Sequence, residues 1–287
     1  MAACSTDPGP APTPTPAVTS ASPAARTVAP TRRAGAPDET FAVKERHLSL
    51  SRGKDRPLPT TVWYPDTSVA GPFPLVLFSH GLTSEPSAYK VLLEAWARAG
   101  FIVAAPAYPH TSYGVKQLDA LDVINQPADA SYVITRVLAL NIKAGDPLRG
   151  RIDTARIAAA GHSAGGITTV GMFTTTRDDR LKAGIVLAGE RVLPVPFTGP
   201  AAPMLFVHGK RDKTVPYANG VAAFAAVPWP RALLSVTDGG HVATDLGPVL
   251  TTTTDFLRWT LYGDKPAKAR LKTDATHGGT ATLIDKL

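Results

Sequence analysis

Residues 156–167 read RIAAAGHSAGGI: a short apolar run, then Gly161-His162-Ser163-Ala164-Gly165-Gly166, then residues at helical spacing. A run of this length suits a strand covered on both faces, and the glycine-rich segment suits a sharp turn into a helix. A serine at the tip of such a turn lies in strained backbone, with its hydroxyl lifted above the sheet edge. Gly161 and Gly165 must then be small so that strand and helix can pass closely. The turn also aims the Ala164 N–H and the positive helix end at one point, where negative charge can be stabilised. Ser163 is therefore the candidate nucleophile. The plainer alternative is a glycine-rich helix cap with Ser163 as its N-cap.

Outward from this elbow the chain alternates between strand and helix. Upstream lie two alternating segments, 41–50 and 60–65, expected as antiparallel edge strands. Then come an apolar strand at 74–81, a helix at 87–100 stopped by Gly100, a strand at 101–109, and a helix at 127–141 with proline in its first turn. Downstream follow a helix at 164–175, strands at 182–188 and 203–208, a helix at 216–226, a strand at 231–237 and a helix at 245–262. Buried strands alternating with helices predict an α/β chain with a doubly wound, mostly parallel sheet of about eight strands.

A serine hydroxyl needs a histidine base and a carboxylate that orients it. Asp212 follows the strand PMLFVH in the loop GKRDKTVP, and His241 follows the next strand in DGGH. One βα unit fits between them. Asp178, Asp179 and Asp238 remain rival carboxylates, while His208 lies inside a strand and His277 in a polar segment. The loop Ser79-His80-Gly81-Leu82 supplies a second expected oxyanion donor, the Leu82 N–H, beside that of Ala164. His80 and His162 are read as braces for their loops. Tyr108, Tyr113, Val215 and Val242, with Leu82, are the candidate liners of a modest apolar pocket whose wall is the long connection 106–126. The segment 189–202 is too short for a large lid.

The sequence has 287 residues, a net charge of +7 and one cysteine, Cys4. A single cysteine excludes an internal disulfide framework and any cysteine-based zinc site, and nothing has the spacing of a metal or cofactor site. The positive charges are scattered, which argues against a nucleic-acid partner. Residues 1–40 are rich in Pro, Ala and Thr and are expected as a disordered arm; 41–265 form the catalytic domain and 266–287 a polar C-terminal tail. Ala2-Ala3-Cys4-Ser5 before this arm resembles the cleavage box and tether of a bacterial lipoprotein. That makes Cys4 a lipidation candidate and the cell envelope or exterior the expected location, with a membrane tether through Cys4 and otherwise a monomer.

His80-Gly81, the GHSAGG elbow, HGKRDKTVPY and GGH together resemble the dienelactone-hydrolase-like branch of the α/β hydrolases. This branch includes bacterial relatives of platelet-activating-factor acetylhydrolase and of chlorophyllase. The resemblance covers about residues 41–262. It implies the α/β-hydrolase fold and cofactor-free hydrolysis of small or polymeric carboxylic esters, through an acyl-enzyme on Ser163 with Asp212 and His241. A serine in place of cysteine separates the chain from true dienelactone hydrolases. Ala188-Gly189-Glu190 stands where cutinase-like polyester hydrolases carry a stacking tryptophan. Polyester hydrolysis, amidase or acyltransferase chemistry and a non-catalytic envelope binding protein are the alternatives.

Overall fold

A computed structural model describes residues 1–4, 9, 35–69, 71–242 and 247–287. The chain divides into two units, residues 1–32 and residues 33–287. Most of the arm expected at 5–37 lies outside the described residues; Cys4 is exposed.

The larger unit is built on one nine-stranded sheet in the order β1-β2-β4-β3-β5-β6-β7-β8-β9. β1 (Ala42–Ser51) and β2 (Pro57–Asp66) form an antiparallel hairpin at one edge. β3 (Phe73–Ser79), β4 (Ile102–Pro106), β5 (Ile152–His162), β6 (Leu181–Leu187), β7 (Met204–Gly209) and β8 (Arg231–Val236) run parallel through the middle. This is the α/β-hydrolase arrangement that the resemblance implies, with one strand more than expected.

Period-two alternation distributes the central strands between two cores. Ile157 and Ala159 of β5 join the core beneath α2 (Gln126–Ala139), α3 (Ala164–Gly171) and α4 (Tyr217–Ala226). Ala158 and Ala160 join the opposite core, beneath α1 (Lys90–Arg98) and α5 (Gly247–Leu257). The helix expected over 245–262 passes at Arg258 into a wider turn that ends at Tyr262; residues 245–246 lie outside the described residues.

The segment expected as a polar tail is folded. Asp264 caps α6 (Lys265–Thr276) by accepting the Ala267 N–H, and Ala267, Leu271 and Ala275 fall on one buried face at four-residue spacing. β9 (Ala281–Lys286) then pairs antiparallel with β8 and closes the second edge. The polar composition misleads because an edge strand and a surface helix need only one apolar stripe each.

Candidate active site

Strand β5 delivers Ser163 to the sheet's carboxyl edge at φ 55°, in the left-handed region that a residue with a side chain enters only under constraint. The constraint is close packing. A Cβ at Gly161 would overlap the carbonyl of Gly165, and one at Gly165 would overlap that of Ser79. The elbow is thus wedged between its own helix and the neighbouring strand, and Ser163 N–H is fixed to the Leu187 carbonyl at 2.9 Å.

The loops after β7 and β8 bring two more side chains to this point. Ser163 Oγ lies 2.8 Å from His241 Nε2, and His241 Nδ1 lies 2.8 Å from Asp212 Oδ2. An ionised carboxylate only accepts, so the Nδ1–H faces Asp212 and Nε2 is free to accept the Ser163 proton. Asp212 is buried, and its Oδ1 accepts the N–H groups of Thr214 and Val215 at 2.8 and 2.9 Å. Burial alone would raise its carboxyl, but the hydrogen bonds from His241, Val215 and Thr214 outweigh it and hold the group below the usual carboxylate range. The rival carboxylates are engaged elsewhere. Asp238 pairs with Arg211 on the surface, Asp178 with Arg180 and Asp179 with Arg177.

His208, inside β7, also meets Asp212. Its Nε2 donates to the Val215 carbonyl at 2.9 Å and lies 3.3 Å from Asp212 Oδ2. Val215 therefore ties the acid loop to β7 through its carbonyl and holds Asp212 through its N–H. The only sequence signal was a histidine five residues after the start of an otherwise apolar run.

Ala164 opens α3, so its N–H belongs to the unpaired first turn. Among the described residues neither it nor the Leu82 N–H meets a protein acceptor, whereas Thr83 and Ser84, which follow Leu82, bond to Thr111 and Gly81. The Gly81 loop stands close to the nucleophile: a Cβ on Gly81 would lie 3.3 Å from that of Ser163. Two open donors thus flank the Ser163 side chain.

The histidines beside the two glycines hold the loops. His80 Nδ1 donates to the Gly81 carbonyl at 2.8 Å, and its Nε2 accepts the Tyr108 N–H at 3.2 Å. His162 joins Tyr89 to the His241 main chain. Burial pushes both imidazoles down to about 4, so each stays neutral.

The expected pocket liners separate. Tyr108 is 1% exposed, packs on His80, and shares a hydrogen bond of 2.8 Å with Ser79 Oγ. It is a core residue, not a liner, because the loop folds its ring back under the oxyanion segment. Val215 is also buried and acts through its main chain. Tyr113 and Val242 are exposed, as Leu82 is in part. Glu190 accepts a hydrogen bond from Asn219 at the sheet edge.

A family model described as chlorophyllase matches residues 38–193, a span that holds the elbow and the Gly81 loop but not Asp212 or His241. YitV of Bacillus subtilis (strain 168), a candidate esterase, is 28% identical over 184 residues, covering 50% of this chain and 71% of its own. Platelet-activating factor acetylhydrolase of Cavia porcellus is 26% identical over 162 residues, covering 44% of this chain and 37% of its own.

Proposed function

The chain belongs to the chlorophyllase family, and from that premise we propose that it is a serine-dependent carboxylic-ester hydrolase working through an acyl-enzyme. The observation that carries this reading is the unbroken chain Ser163 Oγ, His241 Nε2, His241 Nδ1, Asp212 Oδ2, with both links at 2.8 Å.

Ser163 Oγ attacks the ester carbonyl carbon while His241 Nε2 takes its proton. The carbonyl oxygen becomes an oxyanion held by the N–H groups of Leu82 and Ala164. Preorganised donors of this kind are worth about 2.7–4 kcal/mol each in the transition state. The intermediate collapses, the C–O bond to the alcohol breaks, and His241 returns its proton to the departing oxygen. Water, deprotonated by His241, then attacks the acyl-enzyme, and a second collapse frees the acid and restores Ser163. Asp212 keeps its charge throughout and steadies the imidazolium. His241 carries the proton because its Nε2 is the imidazole nitrogen within hydrogen-bond reach of Ser163 Oγ.

The testing experiment pairs two measurements. A fluorophosphonate probe should label Ser163 stoichiometrically, and p-nitrophenyl esters should be hydrolysed far faster than the matching anilides. Absence of labelling, or faster turnover of the anilides, would overturn the assignment.

A further inference from the structure

The Leu82 N–H owes its direction to the groups around it. In a trans peptide the carbonyl and the N–H point in opposite directions, so a hold on the Gly81 carbonyl aims the Leu82 N–H. His80 Nδ1 and the Ser84 N–H both donate to that carbonyl, at 2.8 and 3.1 Å. The next peptide is held as well. Thr83 sits at φ 55°, in the left-handed region that a β-branched residue enters only when its surroundings force it. Its N–H donates to the Thr111 carbonyl at 2.7 Å, which joins the Gly81 loop to the connection after β4.

Thr111 is fixed in turn by a buried amide. Gln126 opens α2, and its Nε2 donates to Thr111 Oγ1 at 2.6 Å while its Oε1 accepts the Thr168 hydroxyl at 2.6 Å. Thr168 lies in α3, one turn past Ala164, and its Oγ1 is 3.1 Å from the Ala164 carbonyl. All three side chains are buried. One side chain thus spans the two segments that carry the candidate oxyanion donors. Through Thr111 it reaches the peptide after Leu82, and through Thr168 it reaches the first turn of α3. Its base is clamped too. Arg56 donates to Asp122 from Nη1 and Nη2 at 2.9 and 2.8 Å and to Asp129 from Nε at 2.9 Å. These carboxylates flank Gln126 on either side in sequence. Packing alone would be met by a methionine, which has no amide to satisfy; the amide adds direction.

Resting on the ester-hydrolase reading, we propose that Gln126 is a positioning residue for the oxyanion hole, setting the Leu82 N–H relative to that of Ala164. It touches no reacting atom. Its effect falls on the transition state, because only there does the carbonyl oxygen carry the charge that both donors must meet at about 2.7–3.1 Å.

The test uses Gln126→Met, which keeps the volume and removes both hydrogen bonds. With a short p-nitrophenyl ester, kcat should fall about tenfold or more while KM stays within about twofold. A trifluoromethyl ketone, whose adduct with Ser163 places an oxyanion in the hole, should bind more weakly by a similar factor. Thr111→Val is a smaller change that cuts one link and keeps the main-chain carbonyl. It should act in the same sense in the wild type and add little once Gln126 is replaced, as members of one network do. Leu271→Ala, which loosens the opposite core, should lower Tm and leave inhibitor affinity unchanged. A Gln126→Met protein that melts lower yet keeps wild-type kcat and inhibitor affinity, or whose loss lies wholly in KM, would reduce Gln126 to packing. Hydrogen exchange reads the same link without turnover. The Thr83 amide, protected by the Thr111 carbonyl, should exchange about tenfold faster or more in Gln126→Met. Faster exchange in a protein that turns over no ester would support the positioning of this loop and overturn the hydrolase reading alone. Unchanged exchange would overturn the positioning whatever the turnover.

Discussion

His162 Nε2 lies 2.7 Å from the main-chain carbonyl oxygen of His241 and donates a hydrogen bond to it. The other ring nitrogen accepts from the Tyr89 hydroxyl at 2.8 Å, and that hydroxyl accepts the Gly81 N–H at 3.0 Å. One neutral imidazole thus ties together the elbow, the Gly81 loop with its candidate oxyanion donor and the loop that carries the candidate base. His162 touches no reacting atom; it is a positioning residue. Its loss should act on the chemical step, because a displacement of 1 Å at a reacting group can cost about 10²-fold. His162→Phe keeps the ring volume and removes both hydrogen bonds. We expect kcat to fall by roughly 10–10²-fold with KM little changed, and His162→Gln to recover part of the loss. A change confined to KM, or a Gln variant no better than Phe, would reduce His162 to simple packing.

The three side chains from Ser163 to Asp212 should fail as a unit. Ser163→Ala and His241→Ala should each abolish acyl-enzyme formation. Asp212→Asn should cost about 10⁴-fold in kcat, because an amide at this point favours the wrong imidazole tautomer. A double variant should be no worse than its worse parent. Steady-state kinetics on the single and double variants, with circular dichroism to verify folding, checks all of this. Additive losses would mean that the three do not share one step.

The elbow was legible in the sequence because its geometry leaves so little choice: only glycine fits at 161 and 165. The positions of Asp212 and His241 were legible from chain order, since parallel strands deliver their trailing loops to the same edge. Tyr108 was misread because a tyrosine in a loop near the site can point either way, and only tertiary packing turned its hydroxyl toward Ser79. α6 carried a readable cap at Asp264, but its apolar stripe of Ala267, Leu271 and Ala275 is narrow enough to be lost in a charged segment.

Two opposing titrations should shape stability in mild acid. His80 and His162, pushed by burial from 6.5 to about 4, take up protons in the unfolded chain first, so stability falls as pH drops from about 6.5 to about 4. Asp255 behaves in the opposite sense. Burial and then the neighbouring Asp274 raise it from 3.8 to about 6 against the pull of Arg270, so the stability it contributes is complete below 3.8 and is lost as pH rises through about 6. Each group changes stability with a slope of about 1.4 kcal/mol per pH unit inside its window. Asp255→Asn should therefore gain stability over wild type at pH 7 and not at pH 4, making the acid limb steeper. Chemical denaturation of both proteins across this range tests the sign. A variant advantage that does not grow with pH would refute the assignment to Asp255.

The C-terminal segment should be indispensable to the fold. β9 pairs with β8 along its full length, from Arg231↔Lys286 to Val236↔Ala281, and β8 leads directly into the loop that carries His241. Removing residues 266–287 would strip the ladder from β8, uncover Leu271's site in the core and leave a long apolar strand as an open edge, a template for aggregation. We expect that truncation to give insoluble or inactive protein. A gentler probe is Leu271→Ala, at a side chain 1% exposed, where the lost packing should cost about 2–5 kcal/mol. For a unit of this size each kcal/mol corresponds to about 2–4 °C in Tm. The fall should therefore be plain in a thermal melt, while kcat at 25 °C stays within a fewfold of wild type. A truncated protein that melts and turns over like the full chain would show the segment to be an appendage.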